Sequence, residues 1–190
     1  MKYDLSKNTT KGAMRTLNSF KDSMFTLLST KSFEEITVGE LCNLSNYPRA
    51  TFYNYFDDKY DLLGYCWIRL TQEIHLEEYR HIEQNQMLYT FYNRIDTFTK
   101  EHHEKIRLVL SHNLEVGYMF SSFRNFLNQQ MRIIFKDCSD ANNIPLPRDI
   151  LADHYSNTLL LVWQYCNLIN PNCTKEDAYK YLDYLVGKLY

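Results

Sequence analysis

Residues 37–59 read TVGELCNLSNYPRATFYNYFDDK. Thr37 and Glu40 form a capping-box pattern: the hydroxyl accepts from a backbone N–H near Glu40 and the carboxylate reaches back, so a helix starts at Val38. Its inward side is Val38, Leu41 and Cys42, and it lasts barely two turns. Asn46 can take the left-handed conformation that ends a helix, and Pro48 suits the first turn of the next, where its missing N–H has no partner to lose. Two short helices joined by about three residues cross steeply, which is helix-turn-helix geometry. In the second helix Phe52 and Phe56 are four apart and face inward, leaving Arg49, Thr51, Asn54 and Tyr55 outward with Tyr53 at the flank. Such a set suits DNA: Arg pairs with guanine, Asn with adenine, the Thr methyl meets thymine, and hydroxyls reach phosphate. The helix N-terminus marked by Thr37 adds its own attraction for phosphate.

Working outward, Ala13, Leu17, Phe20, Met24 and Leu27/Leu28 recur at helical spacing from about residue 10, predicting a first helix that stops around residues 30–32. Residues 1–8 are polar and read as a mobile arm. Lys11 and Arg15 lie four apart on the opposite side of that helix, as either a solvated face or a pair of phosphate contacts. Beyond the motif, a long helix is expected from Asp61 toward Ile82, then segments from Leu88 to about Lys100, Lys105 to about Ser111 and Ser122 to Lys136, with a loop over Cys138–Pro147. Arg148–Asn170 is apolar over so much of its circumference that it must be covered on two sides. Thr174 with Asp177 caps a last helix carrying Ala178, Tyr181, Leu182, Leu185 and Leu189. The expected class is all-α, with about nine helices: a three-helix head over residues 1–60, and a helical bundle entered by a long helix over residues 61–190.

Composition agrees with this. In 190 residues there are 16 Tyr and 11 Phe but only five Gly and four Pro, which favours long helices over a many-stranded sheet. The net charge of −2 gives no overall basic signal, and up to Phe56 the excess of Lys and Arg over acids is only two, so a nucleic-acid reading must rest on local geometry. The five cysteines are odd in number, lack C-x-x-C spacing and mostly sit in apolar helical patterns; they read as reduced core thiols of a cytosolic protein. The polar start and the shortness of the apolar run at Leu159–Trp163 point to a cytoplasmic chain with no leader and no membrane span. No Gly-rich phosphate loop, nucleophile elbow or H-E-x-x-H motif is present. His102 and His103 are adjacent, so on a helix they point about 100° apart, and His75 with Glu78 or Tyr79 lacks a third ligand. The chain is therefore not expected to be an enzyme or to hold a metal or cofactor.

FEEITVGELCNLSNYPRATFYNYFDDKYDLL, residues 33–63, is similar in register and over its full length to the DNA-binding domain of TetR-type transcriptional regulators. The shared features are the opening Thr37, the turn at Asn46, the run Thr51-Phe52-Tyr53-Asn54-Tyr55-Phe56, and Lys59. Asn46 stands where the family usually has Gly, and Pro48 where a capping Ser is common. The resemblance assigns phosphate contacts to Thr37, Tyr53, Tyr55 and Lys59, and base contacts to the region of Tyr47 and Arg49. It also implies a homodimer formed by the last two helices, through Leu159, Val162, Trp163, Leu182, Leu185 and Leu189. A small-molecule effector pocket among the middle helices is implied too, with Tyr89, Tyr92, Met119, Phe120, Phe123, Tyr155 and Trp163 as candidates, although aromatics at helical spacing also serve as ordinary core. The function so implied is a ligand-responsive regulator, a repressor, holding palindromic double-stranded DNA as a dimer. The alternative is a protein of the same fold that docks onto a protein partner, like the coactivators of this family that control dihydroxyacetone kinase genes.

Overall fold

A computed structural model describes residues 10–76, 78, 82, 84–136, 146–170 and 172–186. Among the described residues every long element is helical: α1 (Lys11–Leu28), α2 (Val38–Ser45), α3 (Arg49–Tyr55), α4 (Lys59–Glu73), α5 (Gln84–Glu101), α6 (His103–His112), α7 (Tyr118–Lys136), α8 (Arg148–Gln164) and α9 (Lys175–Val186). A single 3₁₀ turn at Phe33–Glu35 precedes α2, and a π turn at Tyr165–Ile169 continues α8. No helix among the described residues is long and apolar enough to cross a membrane. The contacts divide the chain into two compact units, Met1–Leu70 with His102–Phe123, and Thr71–Glu101 with Arg124–Tyr190. This division does not follow the expected 60/61 boundary, because α6 and the start of α7 fold with the N-terminal helices.

In the first unit, α1 begins at Thr10, whose hydroxyl accepts from the Ala13 N–H at 3.2 Å. It buries Ala13, Leu17, Phe20, Met24 and Leu28, the predicted stripe. Phe20 is the hub of the core: its ring meets Phe52 at 5.3 Å and Phe56 at 6.1 Å, both edge-to-face, and Tyr47 at 5.6 Å. Such ring pairs contribute about 0.5–1.5 kcal/mol each beyond their buried area. The Ser19 hydroxyl donates to the Ser45 carbonyl at 3.1 Å, tying α1 to the end of α2. A second joint is made by Asn113, buried after α6. Its Oδ1 accepts from Phe33 N–H at 2.8 Å, and its Nδ2 donates to the carbonyls of Leu28 at 3.0 Å and Val109 at 2.8 Å. The Tyr118 N–H donates to Glu34 Oε1 at 2.9 Å, and Phe33 stacks on Tyr118 at 5.4 Å.

The second unit packs α8 between α5, α7 and α9. Trp163 Nε1 donates to Thr99 Oγ1 at 2.8 Å, Tyr179 donates to Asn93 Oδ1 at 2.7 Å, Tyr89 donates to Asp183, and Arg132 forms a two-point pair with Asp153 at 2.9 and 2.5 Å. The Thr174–Asp177 cap forms as predicted, Asp177 N–H reaching Thr174 Oγ1 at 3.1 Å and Thr174 N–H reaching Asp177 Oδ2 at 3.2 Å.

Several expectations need correction. The helix from Asp61 starts at Lys59 and stops at Glu73, with His75 in the left-handed region at φ 53°; no Gly or Pro marked that stop. The helix expected from Ser122 starts four residues earlier, at Tyr118. Cys166 and Cys173 are disulfide-bonded rather than reduced, because the turn after α8 carries Cys173 back to 5.0 Å Cα–Cα from Cys166. Cys42 and Cys66 are buried free thiols. The arm, the loop around Cys138 and Leu189 lie outside the described residues.

Candidate nucleic-acid interface

The motif folds as its pattern requires. Thr37 Oγ1 accepts from Glu40 N–H at 3.3 Å, and Glu40 Oε2 accepts from the Thr37 N–H at 3.0 Å and hydroxyl at 2.8 Å. Asn46 ends α2 at φ 58°, ψ 36°, and Tyr47 N–H returns to the Cys42 carbonyl at 3.1 Å. Pro48 sits one position earlier than expected, as the residue before the first turn of α3, where its carbonyl accepts from Thr51 N–H at 2.9 Å. α3 then runs only seven residues, with Phe52 buried and Arg49, Tyr53 and Asn54 exposed. Thr51, Tyr55 and Tyr47 are half-buried, Tyr55 beside Phe56 and Tyr47 against Phe20. Lys11 and Arg15 are exposed and line an open cleft on α1 with Met14, Asn18, Ser19 and Asp22.

Two residues assigned to phosphate are employed elsewhere. The Lys59 ammonium donates to the carbonyls of Phe33, Glu34 and Ile36 at 2.9, 2.9 and 2.8 Å, which accounts for all three of its N–H bonds. It also lies 4.8 Å from the centre of the Phe33 ring, and burial first of all pulls its pKa down. Lys59 thus closes the 3₁₀ turn instead of reaching outward. The Thr37 hydroxyl donates its hydrogen bond to Glu40, so what α2 offers an anion is backbone: by helix geometry the Val38 and Gly39 N–H groups have no intrahelical acceptor.

Gly39 was not among the predicted residues. A Cβ placed there would come 2.8 Å from Arg49 Nη2, so the guanidinium rests on the backbone of the first turn of α2. Arg49 therefore lies beside the first turn of α2, where an anion would meet both the guanidinium and the N–H groups that helix geometry leaves without an intrahelical acceptor. The dipeptide Val-Gly directly after a capping Thr was the available signal. One acid stands close by: the Glu40 carboxyl is held down to about 2, first by the Lys31 ammonium and then by the Thr37 hydroxyl and N–H.

The residues expected at a dimer face divide differently. Leu159, Val162, Trp163 and Leu182 are buried inside the second unit, none more than 8% exposed. The exposed apolar stripe of α8 and its π turn is instead Ile150, Leu161, Tyr165 and Leu168, spaced for one helix face, with Ile150 and Leu161 each 55% exposed. On α9 the exposed large apolar residues are Tyr184, at 78%, and Leu185. An open groove on α8 is lined by Ile150, Asp153, His154, Asn157, Thr158 and Leu161.

Of the pocket candidates, Met119, Phe120 and Phe123 fall in the first unit, Phe123 packing on Trp67 at 5.0 Å. Tyr89, Tyr92, Tyr155 and Trp163 fall in the second, where Tyr155 meets Phe135 at 5.0 Å and Tyr89 and Tyr92 flank Tyr179. The Tyr92 hydroxyl is pushed up to about 12 by burial, and the Tyr89 hydroxyl to about 12 by its bond to Asp183.

No protein-family model and no curated protein matches the chain. Solved structures do match its fold. One is a protein of Clostridium perfringens assigned to the regulation of fatty acid metabolism, with a TM-score of 0.56 and 15% identity over 89% of this chain and 97% of that one. Another is a protein of Syntrophomonas wolfei assigned to the TetR-family transcriptional regulators, with a TM-score of 0.59 and 16% identity over 90% and 93%. At this identity the likeness defines the fold: an all-α, TetR-type architecture.

Proposed function

We propose that the protein is a transcriptional regulator whose first 60 residues bind DNA and whose residues 61–190 serve dimerisation and effector binding. The observation that carries this is the head itself: a capped α2, a left-handed turn at Asn46, and a short α3 that buries Phe52 while exposing Arg49, Tyr53 and Asn54. The regulator assignments of the two fold neighbours support it. Val38 and Gly39 N–H with the Arg49 guanidinium hold one phosphate, Tyr53 and Tyr55 hold another through their hydroxyls, and Thr51 and Asn54 face base edges. Lys11 and Arg15 extend the contact along the backbone. One such helix covers a half-site, so a two-fold dimer reads a palindrome with half-sites roughly 34 Å apart. The exposed apolar residues of α8 and α9 supply the dimer face. A small molecule that binds the DNA-free conformation more tightly than the DNA-bound one releases the operator, and the role proposed for the protein is that of a repressor.

Selection from random duplex DNA tests the reading. Enrichment of a palindrome, bound with strong salt dependence, is expected; a pool that stays random with weak, sequence-indifferent binding overturns it. One observation favours a second reading, a protein that docks onto a protein partner with an idle head: two of the head's cations, Lys31 and Lys59, are consumed internally. Arg49→Ala and Tyr53→Ala separate the two, since a DNA reader loses operator binding and an idle head changes nothing.

A further inference from the structure

Cys166 lies in the π turn that prolongs α8, and Cys173 lies just before the Thr174 cap of α9. Their Cα atoms are 5.0 Å apart across a separation of seven residues, well inside the reach of a disulfide. The turn between them is held by bonds that do not involve sulfur. Asn170 N–H donates to the Tyr165 carbonyl at 2.8 Å, Cys173 N–H to the Asn170 carbonyl at 3.0 Å, and Asn172 N–H to Asn170 Oδ1 at 3.2 Å. Breaking the sulfur bond therefore removes one tie from the turn, while these three bonds keep the two thiols close enough for reclosure to be an intramolecular step at high effective concentration. Cys173 is half-exposed, so a small oxidant or a reducing thiol reaches it. Cys166 is buried, and Cys42 and Cys66 are buried in the first unit, where burial raises both thiols; among the described residues these two are the cysteines with no disulfide partner. Single π turns recur at functional sites in helices, and this one presents Tyr165, Leu168 and Ile169 to solvent, Ile169 at 70% exposure.

We propose that Cys166 and Cys173 are a reversible dithiol–disulfide site, and that its state sets how Leu168 and Ile169 extend the exposed apolar stripe of α8, and so how tightly two copies associate. The second half rests on the dimer reading given above. With a hydroperoxide as oxidant, the Cys173 thiolate attacks one peroxide oxygen; the O–O bond breaks, and hydroxide leaves and takes up the thiol proton as water. The Cys166 sulfur then attacks the resulting sulfenic acid, the S–O bond breaks, the S–S bond forms and a second water leaves. Two thiols and one peroxide become one disulfide and two waters, with two electrons passing from sulfur to peroxide, and exchange with a dithiol reverses the change.

The test uses the full chain, prepared in dithiothreitol, treated with hydrogen peroxide, alkylated with N-ethylmaleimide and mapped by peptide mass. Expected are alkylated Cys166 and Cys173 before oxidation, a linked peptide lighter by two hydrogens after it, and alkylation restored by dithiothreitol without unfolding. Cys173→Ser removes the linked species. Thiols that stay alkylatable after peroxide, or a bond that native dithiothreitol does not open, overturn the site. Sedimentation velocity on the two forms reads the consequence: a severalfold difference in dimer dissociation constant, absent in the Cys166→Ser and Cys173→Ser variants. Equal constants overturn the coupling. A chain that is monomeric in both states overturns the coupling together with the dimer reading, while the alkylation pattern stands by itself.

Discussion

α3 and α8 each bury one side and expose the other, yet they expose opposite chemistry. α3 buries Phe52 and shows water Arg49, Tyr53 and Asn54. α8 buries Leu151, Tyr155, Leu159 and Val162 and shows water Ile150 and Leu161. The polar outer side of α3 is content in water, and on the regulator reading it gains when an anion or a base edge arrives. Apolar surface on α8 is unfavourable in water at all times, at about 25 cal/mol per Å², so a cover for it is expected whether or not DNA is present. The difference separates a conditional contact from a standing one.

The largest effect is expected from breaking the shared inner layer of the head. Phe52→Ala empties a buried site against Phe20 and Phe56 and should cost about 3–5 kcal/mol, read as a drop in urea midpoint and loss of all DNA binding. On the dimer reading, Leu161→Glu places a charge on both copies of the α8 face. Sedimentation equilibrium should show self-association weakened on the order of a hundredfold, with helical content unchanged; an unaltered dimer would put the face elsewhere. Arg49→Ala tests the conditional contact: operator affinity should fall by about 1–3 kcal/mol and the slope of log K against log salt should become shallower by about one, with stability unaffected. Gly39→Ala should act in the same direction by displacing the guanidinium, while leaving Arg49 in place.

The smallest effect is electrostatic. Glu40 has a folded pKa of about 2 against an ordinary 4.5. A depressed carboxyl binds fewer protons folded than unfolded, so its contribution is complete above about pH 4.5 and is lost as the pH falls toward 2. Glu40→Gln should flatten the stability curve in that window and leave its shape above it unchanged, as measured by urea unfolding at stepped pH.

What could be read in the chain beforehand follows from the same contrast. The Thr37–Glu40 box, the turn at Asn46 and the pairing of Phe52 with Phe56 are local patterns, and α3 has a polar outer side that fixes which way it faces. α8 has apolar residues all round, so periodicity alone could not say that Leu159 and Val162 turn inward while Leu161 turns out. Lys59 escaped for a different reason: its acceptors lie 23 to 26 residues earlier, and only the closed fold brings them together. Arg49 likewise shows its resting place only once α2 and α3 cross. The cysteine pair depended on a π turn, which hydrophobic spacing does not announce.

Asn113 sets a limit on how the molecule ages. Its amide accepts one hydrogen bond from the Phe33 N–H and donates two to the carbonyls of Leu28 and Val109. Slow hydrolysis of that amide to a carboxylate would turn both donors into an acceptor and aim a negative charge at two carbonyl oxygens in a buried position. A single such lesion, one mass unit heavier and otherwise silent on a gel, would loosen the joint beneath the helix-turn-helix.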